Sequence, residues 1–131
     1  MIRGEHALLR IADGVVVLDL KGEHDLATAV TIEPILVALT ETSDLVVVDL
    51  TETTFIDSSM LESLVQADRT ARANGTRLRL QLATAPIVRT AFEVSGLLDH
   101  FDVCATREEA LHGFVDGDSR RTRPEPASTE S

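Results

Sequence analysis

The run Leu45-Val46-Val47-Val48-Asp49-Leu50 leads through polar residues 51–54 into Phe55-Ile56-Asp57-Ser58-Ser59-Met60-Leu61. The apolar run is too short for a membrane span and reads as a strand covered on both faces. A strand buried on both sides needs a layer above and below it, as in an α/β domain. The polar stretch reads as a loop that carries Asp57, Ser58 and Ser59 to the mouth of an amphipathic helix from Ser59 to Ala73. Leu61, Leu64, Val65 and Ala71 form its apolar stripe, while Glu62, Gln66, Asp68, Arg69 and Arg72 are expected to face water. Asn74-Gly75 ends it in the left-handed manner.

The rest of the chain alternates strands with helices. Two apolar runs, 7–11 and 15–20, flank Asp13-Gly14 and predict a hairpin. Gly22-Glu23-His24-Asp25 then breaks the strand. A helix follows between Ala27 and Leu39, with Ile32, Ile35, Leu36 and Leu39 on one face. Pro34 fits the first turn of a helix that starts near Thr31, or it kinks one that starts earlier. Leu78-Arg79-Leu80-Gln81-Leu82 alternates as a strand with one wet face. Further expectations are a helix opening at Thr84-Ala85-Pro86, a short strand from Phe101 to Cys104 and a last helix reaching Phe114. The last helix carries the capping box Thr106-Arg107-Glu108-Glu109. A mixed sheet of four or five strands with about four packed helices follows, with Val16, Leu18, Val46, Val48, Ile56 and Leu80 at its centre.

At 131 residues the chain is long enough for one compact domain and not two. Residues 1–115 are expected to form it. From Asp116 to Ser131 almost nothing is apolar, which predicts a disordered tail. The formal net charge of −10 argues against nucleic acid and anionic membranes as partners. The single cysteine, Cys104, allows neither an internal disulfide nor a Cys-based zinc site, and its apolar context reads as inert core. No apolar run reaches membrane-spanning length, and the first residues are too polar for a signal peptide. These features point to a cytoplasmic protein.

Nothing marks an enzyme. His6, His24, His100 and His112 are scattered without metal-ligand spacing. No Gly-rich phosphate loop occurs, and Ser58-Ser59 lack the glycines of a nucleophile elbow. No cofactor or metal is expected. Ser59-Met60-Leu61-Glu62 fits a capping box with Ser59 as N-cap, which leaves Ser58 spare; if the helix starts earlier, Asp57 caps it instead. A helix mouth favours an anion, so a spare serine there could carry a phosphate.

Four segments in order carry a resemblance: Gly22-Glu23-His24-Asp25; Val47-Val48-Asp49-Leu50 followed by Phe55-Ile56-Asp57-Ser58-Ser59; Arg77-Leu78-Arg79-Leu80; and Phe92-Glu93-Val94-Ser95-Gly96-Leu97 with Phe101. Together they resemble the STAS domain family, and within it the bacterial anti-sigma factor antagonists. Met60 stands where that family usually has a small residue, most often Gly, and His24 where it has an aliphatic one.

The resemblance implies a partner-switching protein that catalyses nothing. The unphosphorylated form would bind an anti-sigma factor, a serine kinase of the histidine-kinase-like ATPase class, and so free the sigma factor. Phosphorylation of Ser58 would end binding, and a metal-dependent serine phosphatase would restore it. Asp25, Asp57, Ser59, Met60 and Glu62 are the expected partner-binding residues. Met60 reads in two ways, as gap-filling core under the loop or as part of the partner-facing rim. The alternative is an unphosphorylated interaction module, or one that binds a small ligand such as a nucleotide.

Overall fold

A computed structural model describes residues 4–82 and 86–114. The strands are β1 (Glu5–Ala12), β2 (Val15–His24), β3 (Leu45–Ile56), β4 (Arg77–Gln81) and β5 (Asp102–Cys104). The helices are α1 (Leu26–Thr42), α2 (Ser58–Asn74), α3 (Pro86–Val94) and α4 (Arg107–Leu111), with a 3-10 turn at Leu98–His100. The strands form one mixed sheet in chain order. β1 pairs antiparallel with β2, and every later neighbour is parallel. This is the α/β architecture expected from the sequence. The tail from Asp116 and the boundary at residue 115 lie outside the described residues.

Alternation along the strands divides the core in two. Val16, Leu18, Leu20, Val46, Val48, Leu50, Leu78 and Leu80 pack beneath α1, α2 and α3. Val15, Val17, Leu45 and Val47 point the other way, toward Ala110 of α4. All six residues expected at the centre of the core are buried. The hairpin turns at Gly14, whose φ of +74° excludes most side chains and whose missing Cβ leaves room for the Asp44 carboxylate. Gly75, also left-handed, closes α2 through its N–H to the carbonyls of Ala71 and Arg72.

Several elements depart from the sequence reading. α1 starts at Leu26 and carries Pro34 in its interior. The proline has no N–H to give to the carbonyl one turn back. Burial of Ala29 and Ile32 before it, and of Leu36, Leu39 and Thr40 after it, holds both halves on one core. β3 continues to Ile56, because Glu52, Thr53, Phe55 and Ile56 pair with Lys21, Gly22, Glu23 and His24. The stretch expected as a loop is therefore largely strand. α4 stops at Leu111 instead of Phe114. Thr106 caps it as expected, but Glu109 reaches back to the N–H of Ala105 instead of Thr106.

Candidate functional site

β2 and β3 end side by side. His24 pairs with Ile56, and Asp57 N–H donates to the His24 carbonyl at 3.2 Å. Both strands then hand over to a helix, each across a single aspartate. Asp25 caps α1, its carboxylate accepting from Ala27 N–H at 3.0 Å and Thr28 N–H at 3.4 Å. Thr28 Oγ1 in return accepts from Asp25 N–H at 3.1 Å, which completes a capping box. Asp57 caps α2, with Oδ1 accepting from Met60 N–H at 3.1 Å. Two helix N-termini, each with a carboxylate, thus open on the same edge of the molecule.

This corrects the expected role of Ser59. The box of Ser59 and Glu62 does not form. The helix starts one residue earlier, and Asp57 takes the N-cap. Ser58 becomes the first helical residue and is exposed; Ser59 is second and half-buried. Among the described residues neither hydroxyl has a hydrogen-bond partner, nor does the N–H of either residue. The mouth of α2 thus keeps two open backbone donors beside the Ser58 hydroxyl.

Met60 is a second correction. Its side chain is fully buried among the core residues beneath the helices, so it is not on the partner-facing rim. A flexible thioether fills the space under the first turn of α2. Asp25 and Glu62 are exposed, and Asp57 is half-buried. Asp68, expected to face water, is buried and holds Arg72 Nε at 2.8 Å. His100 Nε2 comes within 3.3 Å of the same carboxylate. The i+4 guanidinium of Arg72 compensates the buried charge.

His24 lies directly below the two caps. Its ring is buried, with Nε2 at 3.1 Å from the Lys21 carbonyl and Nδ1 at 3.1 Å from Thr28 Oγ1. A carbonyl can only accept, so the His24 ring donates through Nε2 to Lys21. Burial is the main cause that lowers its pKa from the ordinary 6.5, against the hydrogen bond to Lys21. On the opposite face of the sheet, burial and then Asp49 raise the pKa of Asp19. Asp49 itself is held by Thr51 and by Arg107 at 2.7 Å. Burial also pushes the Cys104 thiol up to about 11.

A groove of about 690 Å³ starts at Ser58 and runs along α2. It is lined by Leu26, Val30 and Glu33 of α1, by Leu61 and Val65 of α2, and by Leu97 beyond α3. Leu26 is 61% and Val30 65% exposed. Phe55, near the end of β3, leaves 43% of its surface exposed. The sequence reading did not assign these residues to a site. The available signal was that α1 is apolar on nearly every face, more than one core stripe needs.

The STAS domain model matches residues 6–110, most of the sequence. The chain belongs to the STAS domain family. Its structure is similar to that of the anti-sigma factor antagonist SpoIIAA in its unphosphorylated form. The identity is 26% and the TM-score 0.71, over 82% of this chain and 93% of that one. It is also similar to the Bacillus cell fate determinant SpoIIAA in the phosphorylated form, at 24% identity and a TM-score of 0.63, over 82% and 96%. A sulfate transporter family protein from Wolinella succinogenes shares the fold at 18% identity and a TM-score of 0.68, over 79% and 86%. No curated protein sequence matches the chain. Among the described residues no helix is long and apolar enough to cross a membrane, and no group of His, Cys, Asp and Glu is placed to hold a metal ion.

Proposed function

We propose that this STAS domain is a cytoplasmic anti-sigma factor antagonist, switched by phosphorylation of Ser58. The observation that carries the reading is the state of Ser58. The residue is exposed at the first position of α2, and its hydroxyl has no hydrogen-bond partner among the described residues. A buried or capping serine would have to break structure to be modified, and this one does not.

In the unphosphorylated state the edge formed by Asp25, Asp57, Ser58 and Glu62 docks on an anti-sigma factor that is a serine kinase of the histidine-kinase-like ATPase class. The sigma factor is released. The kinase then transfers the γ-phosphoryl group of ATP. The Ser58 Oγ–P bond forms, the bond from the γ-phosphorus to the bridging oxygen breaks, ADP leaves, and the serine proton passes to a kinase base. The antagonist is substrate, not catalyst. Nearly two negative charges now sit at the mouth of α2. The open N–H groups and the helix dipole let the domain tolerate them. A docked kinase offers no such compensation where its own nucleotide phosphates face Ser58, and like charges repel there. A metal-dependent serine phosphatase returns the protein to its binding form.

Binding of the cognate kinase, measured by calorimetry, tests this switch. Ser58→Ala should bind like the wild type. Ser58→Asp should bind at least about tenfold more weakly, since a fixed charge reproduces part of the phosphate's repulsion. Equal affinity for the Asp variant sinks the switch and favours an unphosphorylated interaction module.

A further inference from the structure

We infer that the groove along α2 is a docking channel for a cationic amphipathic helix of the partner, anchored on Leu26 and Val30. The inference rests on the antagonist reading and adds where the partner is gripped and by what chemistry. Leu26 and Val30 stand four residues apart on α1, so they form one ridge about 6 Å long. Both leave most of their apolar surface in water. Leu61 and Val65, again four apart, line the groove from α2. Ridges of this spacing are complementary to a helix that presents an i, i+4 apolar stripe.

Charge selects the occupant. Glu33 and Glu62 line the groove, Asp25 stands where Leu26 begins α1, and Arg69 is the cation among the lining residues. A second copy of this chain would bring the same carboxylates against themselves, on a net charge of −10. An anionic membrane is repelled for the same reason. A segment with Lys or Arg flanking an apolar stripe meets both features of the surface.

The groove also explains how one hydroxyl can control a whole interface. Ser58 lines it, so an occupant lies beside the point where phosphate would appear. The phosphate would attract cations yet occupy and hydrate the end of a channel that must be dry for Leu26 and Val30 to contribute.

Purified serine kinases of the histidine-kinase-like ATPase class from the source genome are the probes. Titration with wild-type protein identifies the one that binds and phosphorylates Ser58. Against that kinase, Val30→Asp should lose about 30-fold in affinity and Leu26→Gln about tenfold, as expected for anchors near the centre of an interface. Val94→Asp, at an exposed apolar residue that does not line the groove, should change affinity less than about threefold. Both anchor positions are exposed, and unchanged melting temperatures verify that the variants fold. A photo-crosslinker at Val30 should capture a kinase peptide with an apolar stripe and at least two Lys or Arg. Full binding and Ser58 phosphorylation by Val30→Asp would overturn the docking channel and leave the switch standing. A captured acidic peptide, or a wild-type dimer lost on Val30→Asp, would overturn it as well. If no kinase binds or modifies the protein, switch and channel fall together.

Discussion

Met60 offers a sharp test, because its two readings predict opposite phenotypes. The side chain is fully buried in the main core cluster, directly under the first turn of α2. Met60→Ala removes three heavy atoms. At ~0.8 kcal/mol per methylene-sized group the lost burial comes to about 2.4 kcal/mol. The void left behind adds to it, and the total lies within the range of about 2–5 kcal/mol for such truncations. The first turn of a helix relaxes more readily than its middle, so about 3 kcal/mol is expected. For a domain of this size that lowers Tm by roughly 10 °C. Met60→Leu, which keeps the volume, should cost less than about 1.5 kcal/mol. Urea unfolding gives the free energies, and kinase titration at low temperature, where Met60→Ala is still folded, gives the affinity. Stability should fall while affinity stays within a factor of about three. A loss below about 1 kcal/mol together with a collapse of binding would refute the burial argument and put Met60 back on the partner's surface.

Three other outcomes follow from the same geometry. Asp57→Ala should cost about 1 kcal/mol of stability as a lost N-cap, and Ser59→Ala close to nothing; equal losses in urea melts would contradict the assignment of the cap. His24 has a lowered pKa in the fold, so the unfolded chain takes up its proton first. Its contribution to stability is present above the ordinary value of 6.5 and is lost as pH falls through 6.5 toward the folded pKa. His24→Leu should therefore flatten the stability profile in that window, and an unchanged profile would show that another group governs it. The Cys104 thiol, pushed up to about 11, should react with a disulfide reagent at pH 8 far more slowly in the folded protein than in urea; equal rates would argue for an exposed thiolate.

Where local chemistry and global packing agreed, the sequence was enough. Asp13-Gly14 between two apolar runs is such a case, since a turn that needs a positive φ found a glycine there. So is the run from Leu45 to Leu50, buried at every position. It misled where a partner distant in the chain decided the outcome. Thr51 to Thr54 is polar, yet β3 continues through it because the end of β2 lies alongside. Asp68 sits at the edge of the apolar stripe of α2, and His100, far away in the chain, approaches its carboxylate in the fold. The α2 cap moved by one residue because two good caps, Asp57 and Ser59, stood two positions apart and only the strand's exit chose between them. Pro34 left the start of α1 undecided, and the Asp25 capping box settled it. The groove was least legible. An all-round apolar helix does not say which of its faces is left over, and only the packing of α1 exposed Leu26 and Val30.

Control of the proposed switch rests on Ser58. The most direct measurement is site mapping by peptide mass spectrometry after incubation with the cognate kinase and ATP. One phosphate is expected, on Ser58, with Ser59 unmodified and the Ser58→Ala protein left unlabelled. Phosphate on Ser59 with none on Ser58 would contradict it, and so would an intact complex that persists once Ser58 is fully phosphorylated.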